Sequence, residues 1–88
     1  MKIKEGFILR QVAGNYIVIA VGDESIDFDG MITLNETGAF LWNILSEGAD
    51  KEEMLEKLLA EYDVDEETAK KDISDFLKKL NDGKLLIL

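Results

Sequence analysis

The hydrophobic pattern of this chain changes period once, at Leu34, and that change restricts the folds open to it. Before it, apolar residues come in short β-branched and aromatic runs, Phe7 to Val12, Tyr16 to Val21 and Met31 to Leu34. After it, they recur at three- and four-residue intervals, the period of an amphipathic helix. Strands followed by a run of helices give an α+β fold with segregated layers, not the alternation that builds a parallel sheet. Ala13-Gly14-Asn15 has the composition of a tight turn, so the first two runs read as a hairpin. Asp29-Gly30 is a type I′ turn signal ahead of the third. Ser25 to Phe28 alternates polar and apolar residues, as a separate strand or as the approach to the next. Glycines at 6, 14, 22, 30 and 38 punctuate this part at intervals of eight without any repeat of the residues between them.

Three helices account for the rest. Asn35 caps a helix whose face is Phe40, Leu41, Ile44 and Leu45, with Trp42 at its margin and Gly48 at its end. Asp50 and Glu53 form a capping box for a second, whose face is Met54, Leu55, Leu58, Leu59 and Tyr62. Asp65 opens a third, with Val64 as a hydrophobic staple onto Ala69 and a stripe of Ala69, Ile73, Phe76, Leu77 and Leu80 that ends at Gly83. The closing Lys84-Leu85-Leu86-Ile87-Leu88 adds a strand or packs on the helices. With 88 residues, the expectation is one domain over residues 1–88.

Most chemistry lacks its parts. The chain has no Cys and no His, which excludes disulfides, thiolate metal sites, a cysteine nucleophile and the commonest general base. Its carboxylates fall mainly opposite the apolar stripes, where solvent keeps them ordinary. Glu24, Asp27 and Asp29 gather near one turn, but the spacing of a calcium loop is missing. No Gly-rich phosphate cradle is present, and Gly38 in a first helical turn suits close packing as well as an anion. Neither a metal nor a cofactor is expected.

Ten basic against 19 acidic residues leave a net charge of −9, with −4 over residues 1–48 and −5 over 49–88. Such a surface repels phosphate backbones and anionic lipid. The third helix carries Lys70, Lys71, Lys78 and Lys79, but five acids leave it at −1, unlike a DNA-reading helix. No run approaches the roughly 18–20 apolar residues that cross a bilayer, and the start lacks a signal-peptide pattern. The expectations are no nucleic acid, no membrane and a cytoplasmic location.

At 100° per residue, Lys70, Ser74 and Asn81 lie beyond Leu77 on one flank of the third helix's stripe, and Asp72 and Lys79 lie on the other. A flank that mixes apolar contact with hydrogen-bond donors, set beside a sheet edge, makes a groove for an extended peptide that adds a strand. The alternative is that Leu77 is plain core and the lysines are solvated.

The segment from Met31 to Leu45, with Leu34-Asn35-Glu36-Thr37-Gly38 followed by Trp42, closely resembles the central motif of the PqqD-like family, the RiPP recognition elements. Glu61 to Ala69, Asp72, Phe76-Leu77 and Gly6 to Arg10 extend the resemblance over nearly the whole chain. It implies a winged-helix-like domain of three N-terminal antiparallel strands and three helices, without catalytic activity or cofactor. It also implies binding of a precursor peptide's leader between the third strand and third helix, and delivery to a modifying enzyme, often a radical-SAM enzyme, as in pyrroloquinoline quinone biosynthesis. The positions carried over are Met31, Ile32, Thr33 and Leu34 of the strand and Lys70, Ile73, Ser74 and Leu77 of the helix. The signature itself reads as architecture: Asn35 caps, Gly38 permits close approach and Trp42 packs. The runner-up is a structural or regulatory protein–protein module that keeps the fold without the peptide. An exposed sheet edge is also able to pair with a second copy as a homodimer.

Overall fold

The computed structural model describes residues 1–22 and 32–87. Its strands are β1 (Lys2–Ile3), β2 (Phe7–Val12), β3 (Asn15–Ala20), β4 (Ile32–Leu34) and β5 (Leu86–Ile87), and its helices are α1 (Glu36–Ser46), α2 (Lys51–Glu61) and α3 (Glu66–Asp82). The α+β class and the order of strands before helices stand as the change of period implies. The Asp29-Gly30 turn, residues 25–28, Met31 and the acids Glu24, Asp27 and Asp29 lie outside the described residues.

The hairpin closes more tightly than its composition suggests. β2 and β3 pair antiparallel from Phe7↔Ala20 to Val12↔Asn15, so Asn15 belongs to the strand and only Ala13-Gly14 connects. Both connecting residues have positive φ, 52° and 82°, as a type I′ turn requires. The left-handed conformation costs Ala13 roughly 1–2 kcal/mol, a strain the paired strands on either side hold in place.

β4 adds to the far side of β3 through Tyr16↔Leu34, Ile17↔Thr33 and Val18↔Ile32, giving the order β2-β3-β4. Side chains alternate across the sheet, so Leu9, Val18, Ile32 and Leu34 share the face toward the helices. Val18 and Leu34 are buried there, and Thr33 is exposed on the other face.

Each helix starts with the same device. Asn35 Oδ1 accepts from the Gly38 N–H at 2.7 Å, Asp50 Oδ1 from Glu53 N–H at 2.8 Å and Asp65 Oδ1 from Thr68 N–H at 2.7 Å. Each cap satisfies a donor that the first helical turn leaves without a partner. α1 is followed by Gly48 at φ 86°, a left-handed exit that glycine adopts without strain. Gly83 ends α3 for another reason. Its φ is negative, and a Cβ there would lie 2.8 Å from Leu85 Cδ1 and 3.2 Å from Ile32 Cδ1.

The α3 stripe is buried as its spacing predicts, from Ala69 through Ile73, Phe76 and Leu77 to Leu80. The α1 face is rotated from the expected one. Gly38, Ala39, Leu41, Trp42 and Leu45 are buried, and Phe40 and Ile44 are only half-buried. The cause is Gly38, whose missing side chain lets the helix press on β4: a Cβ would meet Leu34 Cβ at 3.2 Å. Trp42 therefore stands within the core, one turn beyond Gly38. Phe40 turns to α2 and meets Tyr62 edge to face, with ring centroids 5.3 Å apart. On α2, Met54 and Leu58 are buried, but Leu59 is exposed, as is Val64, the expected staple.

The C-terminal tail does both things expected of it. Leu85 is fully buried, and β5 pairs antiparallel with β1 through Lys2↔Ile87 and Ile3↔Leu86. The strand at Lys2–Ile3 was not legible in the sequence, since two residues carry no period.

Candidate functional site

Because α3 buries the centre of its stripe, it presents two flanks, and each flank lines a different groove. The strand-side groove lies between α3 and β4, and its parts meet in order along both elements. Ile32 stands at Gly83, Thr33 at Lys79, and Leu34 and Asn35 share the lining with Phe76, Asp75 and Asp72. Strand and helix thus run antiparallel past each other. Thr37 and Gly38 close the far end of a cleft of about 380 Å³. Leu34 and Phe76 are buried and give it an apolar floor, while Asp75 and Lys79 are exposed at its rim.

The backbone of β4 is the distinctive wall. Among the described residues its outer edge has no strand partner. Lys79 Nζ donates to the Thr33 carbonyl at 3.2 Å, so α3 reaches the backbone of β4 at this point. In an antiparallel strand the N–H and C=O of one residue point the same way. Alternate residues of an edge strand turn both groups outward, and in this strand the Thr33 carbonyl carries a lysine. An edge of this kind pairs with an added strand unless something blunts it, and a lysine is a common blunting device.

The helix-side groove lies between α3 and α2. It has about 580 Å³ and is lined by Lys51, Glu52, Leu55, Glu66, Lys70, Ile73 and Ser74. Lys70 is held there by Glu66, one turn earlier, with Nζ–Oε1 of 3.6 Å. This groove has side-chain walls throughout and no strand edge.

The residues carried over from the sequence are divided between these places. Ile32, Thr33 and Leu34 belong to the strand side, and Lys70, Ile73 and Ser74 to the helix side. Leu77 is buried and lines neither groove. The flank that meets the strand is the one bearing Asp72 and Lys79, together with Asp75 and Phe76. Helical periodicity fixes the angular order of residues around α3 but not which side its neighbours take. The signal that bears on this lies elsewhere: Gly38 marks where α1 closes on Leu34, at the end of the cleft that Asp72 and Asp75 line.

Among the described residues two titrations are displaced by the fold, both outside the grooves. The Thr68 hydroxyl and backbone N–H hold the Asp65 carboxyl below its ordinary range. Partial burial pushes the Tyr62 phenol up, with the Glu36 and Glu61 carboxylates adding to the effect. Among the described residues no group of carboxylates is placed to hold a metal ion, and no helix is long and apolar enough to cross a membrane.

The family described as Coenzyme PQQ synthesis protein D (PqqD) matches residues 7–86. Among curated proteins, none matches the chain. Two solved structures share its fold. One is TbiB1 in complex with the TbiA(beta) leader peptide, 28% identical, with a TM-score of 0.75 over 98% of this chain and 94% of that one. The other is a lasso peptide synthetase B1 complexed with the leader peptide, 18% identical, with a TM-score of 0.74 over 99% and 96%.

Proposed function

The chain belongs to the PqqD family, and from that premise we propose that it is a non-catalytic adapter, one that binds the leader segment of a ribosomally made precursor peptide and presents it to a modifying enzyme. A radical-SAM enzyme is the partner the sequence resemblance favours. The similarity to TbiB1, itself in complex with a leader peptide, supports the same reading. Within this molecule one observation carries it: among the described residues the outer edge of β4 has no strand partner, and it lies beside an apolar-floored cleft whose Lys79 reaches the Thr33 carbonyl. An extended peptide entering there satisfies its own backbone on β4 and rests its side chains on Phe76 and Leu34.

The peptide track in this proposal is Ile32, Thr33 and Leu34, continued by Met31 outside the described residues, and faced by Asp72, Asp75, Phe76 and Lys79. Lys70, Ile73 and Ser74, with Leu77 beneath them, are the competing track on the helix side. The test is a titration of isotope-labelled protein with the leader of a precursor encoded beside it, followed by amide shifts. Shifts concentrated at Ile32 to Leu34 and along residues 72–79 are expected. Shifts at Lys51, Leu55, Lys70 and Ser74 instead would move the peptide to the other groove. An intact fold without shifts would favour a protein–protein module that has the fold and no leader.

A further inference from the structure

The charges on the strand-side flank of α3 are ordered rather than mixed. Lys79 stands at Thr33, and Asp75 and then Asp72 follow toward Asn35. Four residues of helix separate Asp75 from Lys79, roughly 6 Å of rise. On one face of an extended peptide, side chains recur every second residue, roughly 6.6 Å apart. Because α3 passes alongside β4, a strand added to β4 runs past the two charges at nearly their own spacing. We propose that this chain selects leader segments carrying an acidic and a basic side chain two residues apart, the acid meeting Lys79 and the base meeting Asp75. This deepens the adapter reading and rests on it.

Lys79 supplies the discrimination. Without peptide, its ammonium is satisfied by the Thr33 carbonyl. An added strand needs that carbonyl for its own N–H, so the lysine is displaced as the strand enters. A leader with a carboxylate at that register gives the ammonium a new partner. One with a basic residue there sets like charges together and loses on both counts. The surrounding surface sharpens the choice, since a protein of net charge −9 repels acidic peptides in general. An acid is welcome only where a cation awaits it. Asp72, nearly one turn from Asp75, reinforces the preference for a base at the other end. The helix-side groove has no comparable arrangement, since Lys70 is already held by Glu66.

The test is selection from a randomised display library of extended peptides, run in parallel on the natural protein and on the charge-reversed Lys79→Glu/Asp75→Lys protein. Both positions are exposed, so the reversed protein is expected to fold, and thermal melting followed by circular dichroism checks this. Selected peptides are then titrated while the Thr33 amide is observed. The expected result is enrichment of an acid and a base two apart on the natural protein and of the inverse order on the reversed one. Matched and mismatched peptides should differ roughly five- to tenfold in Kd, the range of two exposed ion pairs. If both proteins enrich the same sequences, and these shift Thr33, the charge register is overturned while the cleft remains the leader site. If neither yields a peptide that shifts Thr33, the leader-binding reading falls, and the charge register with it.

Discussion

The two flanks of α3 are made of similar residue types and face different neighbours. The strand-side flank has Asp72, Asp75 and Lys79 around the buried Phe76, and the helix-side flank has Glu66, Lys70 and Ser74 around the buried Ile73. By composition either serves to bind a peptide. What separates them is the opposite wall. One is a strand edge without a strand partner among the described residues, and the other is the first turns of α2, which offer no strand for an extended peptide to pair with. A side chain makes a site only in combination with what it faces.

The comparison can be broken most forcefully at the groove floors. Phe76→Ala should cost about 3–5 kcal/mol in urea denaturation, because it empties a core position that also floors the cleft. Leu55→Ala, half-buried in the other groove, should cost less than about 2 kcal/mol. Equal losses would mean that the two floors are equally part of the core.

The next effect concerns binding. Thr33→Pro removes one backbone donor of β4 at an exposed position of an edge strand, where proline is best tolerated. Leader affinity should fall at least about tenfold, or ~1.4 kcal/mol, with the melting curve little changed. An unaltered Kd would remove backbone pairing on β4 from the account. Asn35→Ala should then lower stability by about 1 kcal/mol, as an unreplaced helix cap does, and loosen the junction between β4 and α1.

Smaller effects are expected on the helix side. Lys70 and Glu66 are both exposed, so Lys70→Ala should change stability by less than about 0.5 kcal/mol. Leader affinity should stay where it was, and a clear drop would transfer the peptide to the helix-side groove. Asp65→Asn should be nearly silent at neutral pH and visible only in acid. The folded protein lowers the Asp65 pKa from its ordinary 3.8. The carboxylate's contribution is therefore complete above that value and is lost as pH falls through the folded pKa. The amide variant should show a shallower acid limb in a stability–pH profile.

Much of this was legible in the residues. The α3 stripe, the three caps and the order of strands before helices follow from local rules that act within one turn or one hairpin. The signature around Asn35, Gly38 and Trp42 reads correctly as architecture, with a cap, a close approach and a core packing residue. Two things were not legible. The face of α1 turns on Gly38 because its rotation is decided by a contact with Leu34 that no helical period encodes. The flank of α3 that meets β4 is likewise a matter of tertiary placement. A period gives the angles between residues and leaves the zero of angle undefined.

The pairing of β1 with β5 has a consequence for how such a domain travels. Lys2 lies opposite Ile87 across one ladder, so these two positions are separated by roughly 5 Å, the spacing between neighbouring strands. A host protein that opened one of its surface loops to receive this unit would need to move its two cut ends hardly at all. The β4 edge and α3 belong to other parts of the fold, so splicing at the ends leaves the cleft itself uncut. In engineering terms the fold is a cassette: its β4–α3 cleft can be carried into a host protein as an insertion, with geometry rather than linker length keeping the graft in place.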